Sequence, residues 1–163
     1  MERIKEDVEI GNKTYNESLE MERLARNVFA DPKEYPQVFS GSAKIRYLLV
    51  GPNVSKMTVA RCIRTGAETK LFSGSDYLIE FSEEIWDMLD EKTREVVMYH
   101  ELLHIMIDYK KDGTEIFKLR EHDVMDFRVI LEKYGFDWFD TLKATVSQVN
   151  DLEEPIDKIK INL

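Results

Sequence analysis

Between Met98 and Asp108 the chain reads MYHELLHIMID. Over residues 96–107 the strongly polar side chains are His100, Glu101 and His104, and everything else is aliphatic, methionine or tyrosine. An unpartnered carboxylate or imidazolium in such surroundings is costly, and its pKa shifts until it neutralises, so something must compensate these groups. On a helix, residues four apart stand one turn above each other, which lets both imidazoles reach a single cation. Glu101, about 100° around the axis, stands beside that pair. The spacing therefore permits two nitrogens on Zn2+ with a carboxylate positioned as general base toward a metal-activated water.

A catalytic zinc commonly has three protein ligands. The chain has three histidines, and the remaining one, His122, follows in the segment LREHDVMDF. All three are expected in one site. Asp126, four residues after His122, is expected on the same helix face, where it can accept the free N–H of a ligating imidazole and set its tautomer. Asp123 and Asp126 are also placed to cap that helix. Asp123 and Glu121 remain alternative third ligands if the helix starts one residue away.

The elements that must position these residues follow from periodicity and punctuation. VEIGNKTY, residues 8–15, reads as a small hairpin turning at Gly11 and Asn12. Residues 17–29 carry Leu19, Leu24, Val28 and Phe29 on a helical period and stop before Asp31 and Pro32. Residues 45–50, 57–65 and 76–81 read as three strands, the last entered through a turn at residues 73–75. Ser82 with Glu83 and Glu84 opens a short helix. Asp90 caps a long helix expected over residues 91–109, closed by the turn at residues 110–113. A last helix is expected over residues 123–134, with Gly135 at its end. Strands followed by segregated helices argue an α+β fold. The tail, residues 151–163, begins with a linker, NDLEEP, and then alternates Ile159, Ile161 and Leu163 at a strand period. It is expected to dock on the sheet, pair with another subunit or cover the cleft.

Composition bounds the rest. At 163 residues and 43% apolar content the chain fits one globular domain over residues 1–150 with a core near residues 45–134. A net charge of −9 disfavours general binding to a phosphate backbone. Cys62, the one cysteine, excludes a disulfide framework and a cysteine-based zinc ribbon, and it reads as a small core residue of a cytoplasmic protein. No run approaches the ~18 apolar residues that a membrane span needs.

The stretch DYLIEFSEEIWDMLDEKTREVVMYHELLHIM, followed by EHDVMDF, resembles the putative phage metallopeptidase family, whose pattern is a strand, a short tryptophan-containing helix, H-E-L-x-H and a later H-D-V-x-D-F. The resemblance covers residues 45–134 and extends to small intracellular zincins of the SprT-like kind. It implies a short sheet of about three strands packed on the active-site helix, with His100, His104 and His122 as zinc ligands and Glu101 as catalytic acid/base. It also implies a polypeptide substrate, paired by β-addition along the strand at residues 76–81 as an edge strand. The expected function is thus a zinc-dependent, phage or prophage peptidase. The alternative is a metal-binding interaction module of the same fold without turnover, which would have no need of Glu101. A tetrahedral oxyanion also requires a donor, for which Tyr99, Tyr109, Tyr134 or an arginine are candidates.

Overall fold

The computed structural model describes residues 7–123 and 126–163. The expected hairpin is present: β1 (Val8–Ile10) and β2 (Lys13–Glu17) pair antiparallel, and Gly11 takes the turn at a φ of +64°. Helix α1 (Leu19–Ala30) follows, with the Ser18 side chain accepting from the Met21 N–H. It buries Met21, Ala25 and Val28, one stripe at helical spacing.

The sheet is larger than the three strands expected. β3 (Ile45–Gly51), β4 (Ala60–Arg64) and β5 (Tyr77–Ser82) are joined by β1 and β2 in the order β1-β2-β3-β5-β4. β3 and β5 run parallel, and the other pairs are antiparallel. This order corrects one expectation directly. The strand at residues 76–81 is not an edge: β5 is paired on both sides, by β3 and β4, so it has no free ladder for a peptide. The outer strands are β1 and β4, and β4 is the one paired with β5.

Helix α2 (Ala67–Ser73) was not anticipated; it stands between Gly66 and Gly74, the latter at a φ of +68° as its C-cap. The short helix α3 (Glu83–Met88) is as expected, with Trp86 packed edge-on to Phe81 at 4.6 Å. Asp90 accepts the Thr93 N–H at 2.7 Å and opens α4 (Glu91–Leu103). Tyr77, Ile79 and Phe81 of β5 join Val96, Val97 and Leu103 of α4 in one core, all at most 1% exposed.

α4 ends six residues earlier than its apolar pattern predicts. Residues beyond His104 form β6 (Ile105–Tyr109), which pairs antiparallel with β7 (Glu115–Leu119) as a separate two-stranded sheet. Gly113, at a φ of +86°, closes the intervening turn. The buried Tyr77 anchors this hairpin to the main sheet by donating its hydroxyl to the Lys118 carbonyl at 2.7 Å. The next helix, α5 (Arg128–Tyr134), starts five residues later than expected and ends at Gly135; α6 (Asp137–Val149) follows it. The tail makes a 3-10 turn at Ile156–Lys158, buries Ile159, and pairs through Asn162 beside Thr58, upstream of β4. No helix among the described residues is long and apolar enough to cross a membrane.

Candidate metal centre

The two histidines of α4 stand one turn apart at its C-terminus, with ring centroids 5.1 Å apart. His104 is the C-cap and keeps right-handed helical dihedrals, so the early helix end does not separate the pair. The hairpin then acts as a ruler. Its register places Ile105 opposite Leu119, and the ladder continues one step to His104 and Arg120. The Arg120 N–H donates to the His104 carbonyl at 2.7 Å, and His104 Nδ1 lies 2.8 Å from the Arg120 carbonyl. Two residues later His122 returns to the same point. It sits in the loop before α5, not on a helix face.

The donor nitrogens of His100, His104 and His122 all lie within 4.8 Å of one another. His122 Nε2 is 3.0 Å from His100 Nε2 and 3.2 Å from His104 Nε2. Their protons cannot account for this closeness. His104 Nδ1 faces a carbonyl, an acceptor only, so it carries the proton and leaves Nε2 bare. His100 Nδ1 lies 2.7 Å from Asp126 Oδ1, which favours the proton on Nδ1 and leaves its Nε2 bare as well. His122 can donate one proton to one of them, and the remaining lone-pair contact is repulsive without a cation. A tetrahedral cation with bonds of about 2.0–2.1 Å needs nitrogens about 3.3 Å apart, close to what is observed.

Electrostatics point the same way. Burial, followed by the neighbouring His100, lowers His104 to about 4, and the same causes lower His122. His104 and His122 are therefore neutral ligand donors at ordinary pH. Glu101 is fully buried, and neither carboxylate oxygen has a hydrogen-bond partner. Burial, with Asp126 adding to it, raises its pKa well above the usual carboxylate range. Its charge also bears on Cys62 of β4: burial raises the thiol pKa, and Glu101 raises it further. Helix α4, which carries Glu101, packs against that strand.

Asp126 reaches the site from the loop and not from a shared helix face with His122. Oδ1 accepts the Phe127 N–H at 2.6 Å as well as facing His100; the imidazole contact is off the line of an aligned hydrogen bond, and Oδ2 has no partner. We read it as a charge–dipole attraction that holds the ring. Asp123 is exposed and accepts the Arg128 N–H at 3.0 Å, a capping contact, while Glu121 is exposed outside the histidine cluster. Phe127, the last residue of the quoted H-D-V-x-D-F pattern, had no assigned role. Its buried ring packs on all three imidazoles at 4.9–5.2 Å. Among the oxyanion candidates, Tyr99 is buried and donates to the Pro36 carbonyl at 2.6 Å, and Tyr134 sits beside Glu95 and Glu34. Arg120 is better placed, with its guanidinium 4.8 Å above the Phe127 ring.

A family model described as Putative phage metallopeptidase matches residues 13–150. The chain belongs to that family. The match takes in both histidine segments and extends well beyond residues 45–134, reaching β2 on one side and the end of α6 on the other. Family membership makes this a metallopeptidase-type chain with a metal ion and a polypeptide substrate as its natural correlates. No curated protein matches the chain. No solved structure matches it.

Proposed function

We propose that this family member is a zinc-dependent peptidase of zincin-like fold, in which His100, His104 and His122 hold the metal, Glu101 is the general base and Asp126 orients His100. The observation that carries the reading is the convergence of three imidazoles, with His122 Nε2 about 3 Å from Nε2 of both others, and a buried, unpartnered carboxylate next to His100 in the chain. Three imidazoles leave one position of a tetrahedron open, the arrangement of catalytic and not structural zinc. Bound there, zinc would supply a Lewis acid that activates water and polarises the scissile carbonyl.

The chain's own residues do the rest. Glu101 takes the proton at a carboxylate oxygen and later delivers it to the leaving amine, and its apolar surroundings keep its proton affinity high enough for both steps. The Asp126 carboxylate and the Arg120 carbonyl fix the tautomers of His100 and His104, so that Nε2 of each faces inward. The Arg120 guanidinium, which lies over the Phe127 ring and reaches Gln37 and Asp123, is our candidate donor to a developing oxyanion.

The substrate reading moves from β5 to β4. An extended polypeptide would add to the open edge of β4, the strand against which α4 packs. Asn162 of the tail already pairs with Met57 and Val59, which leaves Ala60–Arg64 as the free length. A single free cysteine fits a reducing compartment, and we place the protein in the cytoplasm. The test is Glu101→Gln, which keeps the side chain's shape but not its basicity. Zinc should stay and cleavage of a peptide library should fall by about 10² to 10⁴-fold. Equal cleavage by both proteins would rule out Glu101 as the base, and zinc binding without cleavage in either would favour an interaction module.

A further inference from the structure

The free edge of β4 leads into a cationic groove. Arg64, the last residue of β4, lines a groove of about 270 Å3 together with Lys70, Lys110, Asp76, Glu115 and Phe117. Lys70 is already neutralised there, with Nζ 2.6 Å from Asp76 Oδ1 and above the Phe117 ring. Glu115 accepts the Ser42 hydroxyl. Arg64 is exposed and donates to the Phe117 carbonyl at 3.1 Å. Neither Arg64 nor the exposed Lys110 has a carboxylate partner among the described residues. With Lys70 set against Asp76, Arg64 and Lys110 outweigh the remaining acid, Glu115, so the groove keeps a net positive charge in a chain of −9.

Arg64 donates to the Phe117 carbonyl, and Phe117 stands three residues before Arg120, whose N–H bonds the His104 carbonyl; at about 3.3 Å per residue this puts Arg64 roughly 10 Å along the hairpin from the histidine site. A polypeptide paired with β4 would bring its own side chains past the groove about three residues from the point of cleavage. We propose that Arg64 and Lys110 form a subsite that selects substrates carrying an acidic side chain on one side of the scissile bond. This rests on the peptidase reading and on β4 as the substrate strand. It names the substrate class: extended polypeptides that are not strongly acidic overall, which the chain's net charge would repel, but that carry a carboxylate at that one position. Each exposed ion pair favours its complex by about 1.4- to 5-fold, so two predict a preference of roughly 2- to 20-fold.

The test uses the full chain loaded with zinc and matched peptides that carry Glu, Gln or Lys at each position within four residues of the cleaved bond. The readout is the ratio of kcat/KM for Glu over Gln. The expected result is a ratio of roughly 2 to 20 at one position on one side, shrinking toward one as salt rises to 1 M and the screening length falls to about 3 Å. The double variant Arg64→Glu with Lys110→Glu should reverse the order, so that Lys is preferred at that position. Arg64→Gln with Lys110→Gln, which adds no repulsion to the fold, should bring the ratio near one. Cleavage without a Glu preference at any position, or a preference that survives both double variants, would overturn the subsite while leaving the peptidase reading standing. Zinc-loaded protein that cuts none of the peptides would overturn both.

Discussion

Asp126→Asn isolates the carboxylate charge behind His100. The side chains of Asp126 and His100 are 1% and 0% exposed, and Oδ1 lies 2.7 Å from Nδ1. Asparagine preserves an oxygen for the Phe127 N–H, so the loop before α5 should keep its shape. Because the contact is not an aligned hydrogen bond, the about 3 kcal/mol that a bond to a charged group can contribute, roughly 100-fold at about 1.4 kcal/mol per tenfold, is an upper bound on the loss. Changes behind a metal-binding histidine typically weaken affinity by about 10- to 100-fold. Zinc affinity measured by competition with a chromophoric chelator should fall within that range, with the melting temperature of the metal-free protein little changed. An affinity unchanged within about twofold would mean that Asp126 does not orient His100. Abolished binding in a folded protein would mean that its role is larger than positioning.

Acid should destabilise the metal-free Glu101→Gln protein, in which the opposing contribution of Glu101, whose raised pKa favours the folded state in acid, is absent. His104 is lowered to about 4 from an unfolded value near 6.5, so between those limits the unfolded state binds more protons, and stability falls as pH falls through that window. The full shift corresponds to about 3 kcal/mol, and partial exposure reduces it to about 1–2 kcal/mol, readable from urea midpoints at pH 7 and pH 4. Equal midpoints would contradict the buried neutral state. Gly41→Ala places a Cβ 2.7 Å from Ile107 Cδ1 at a φ of +151°, which should destabilise by about 1–2 kcal/mol and weaken zinc binding through the hairpin. A loss of stability with zinc affinity intact would argue against the hairpin as the ruler of the site. Asp123→Ala removes a contact to the Arg128 N–H and should cost about 1 kcal/mol in a urea titration, with zinc retained. Loss of zinc there would make Asp123 a ligand.

The site was more legible than the elements that carry it. The i, i+4 spacing of His100 and His104 survives the early helix end because the C-cap residue retains helical dihedrals. The error lay in Ile105, Met106 and Ile107, which fit a buried helix and a strand equally well by pattern; what decides is pairing with Leu119, Lys118 and Phe117, a contact across the Gly113 turn. That hairpin also moved His122 off its expected helix face and into a loop, while keeping it in the cluster. Likewise, the pattern of residues 76–81 marks a strand but not its neighbours. Whether β5 is an edge depends on where β4 returns, and strand order is a non-local property. α2 was missed because a seven-residue helix with no buried side chain leaves no periodic signal.

Zinc stoichiometry in the protein as purified, compared with His122→Ala, tests the central claim most directly. Elemental analysis should give about one zinc per chain for the wild type and a large loss in the variant, because His122 Nε2 is the atom that closes the gap to both histidines of α4. Stripping the metal should also lower the melting temperature, since a ligand at a thousandfold over its dissociation constant stabilises by about 4 kcal/mol. A wild-type protein without zinc and without response to a chelator, or a His122→Ala variant that still holds one zinc, would contradict the account.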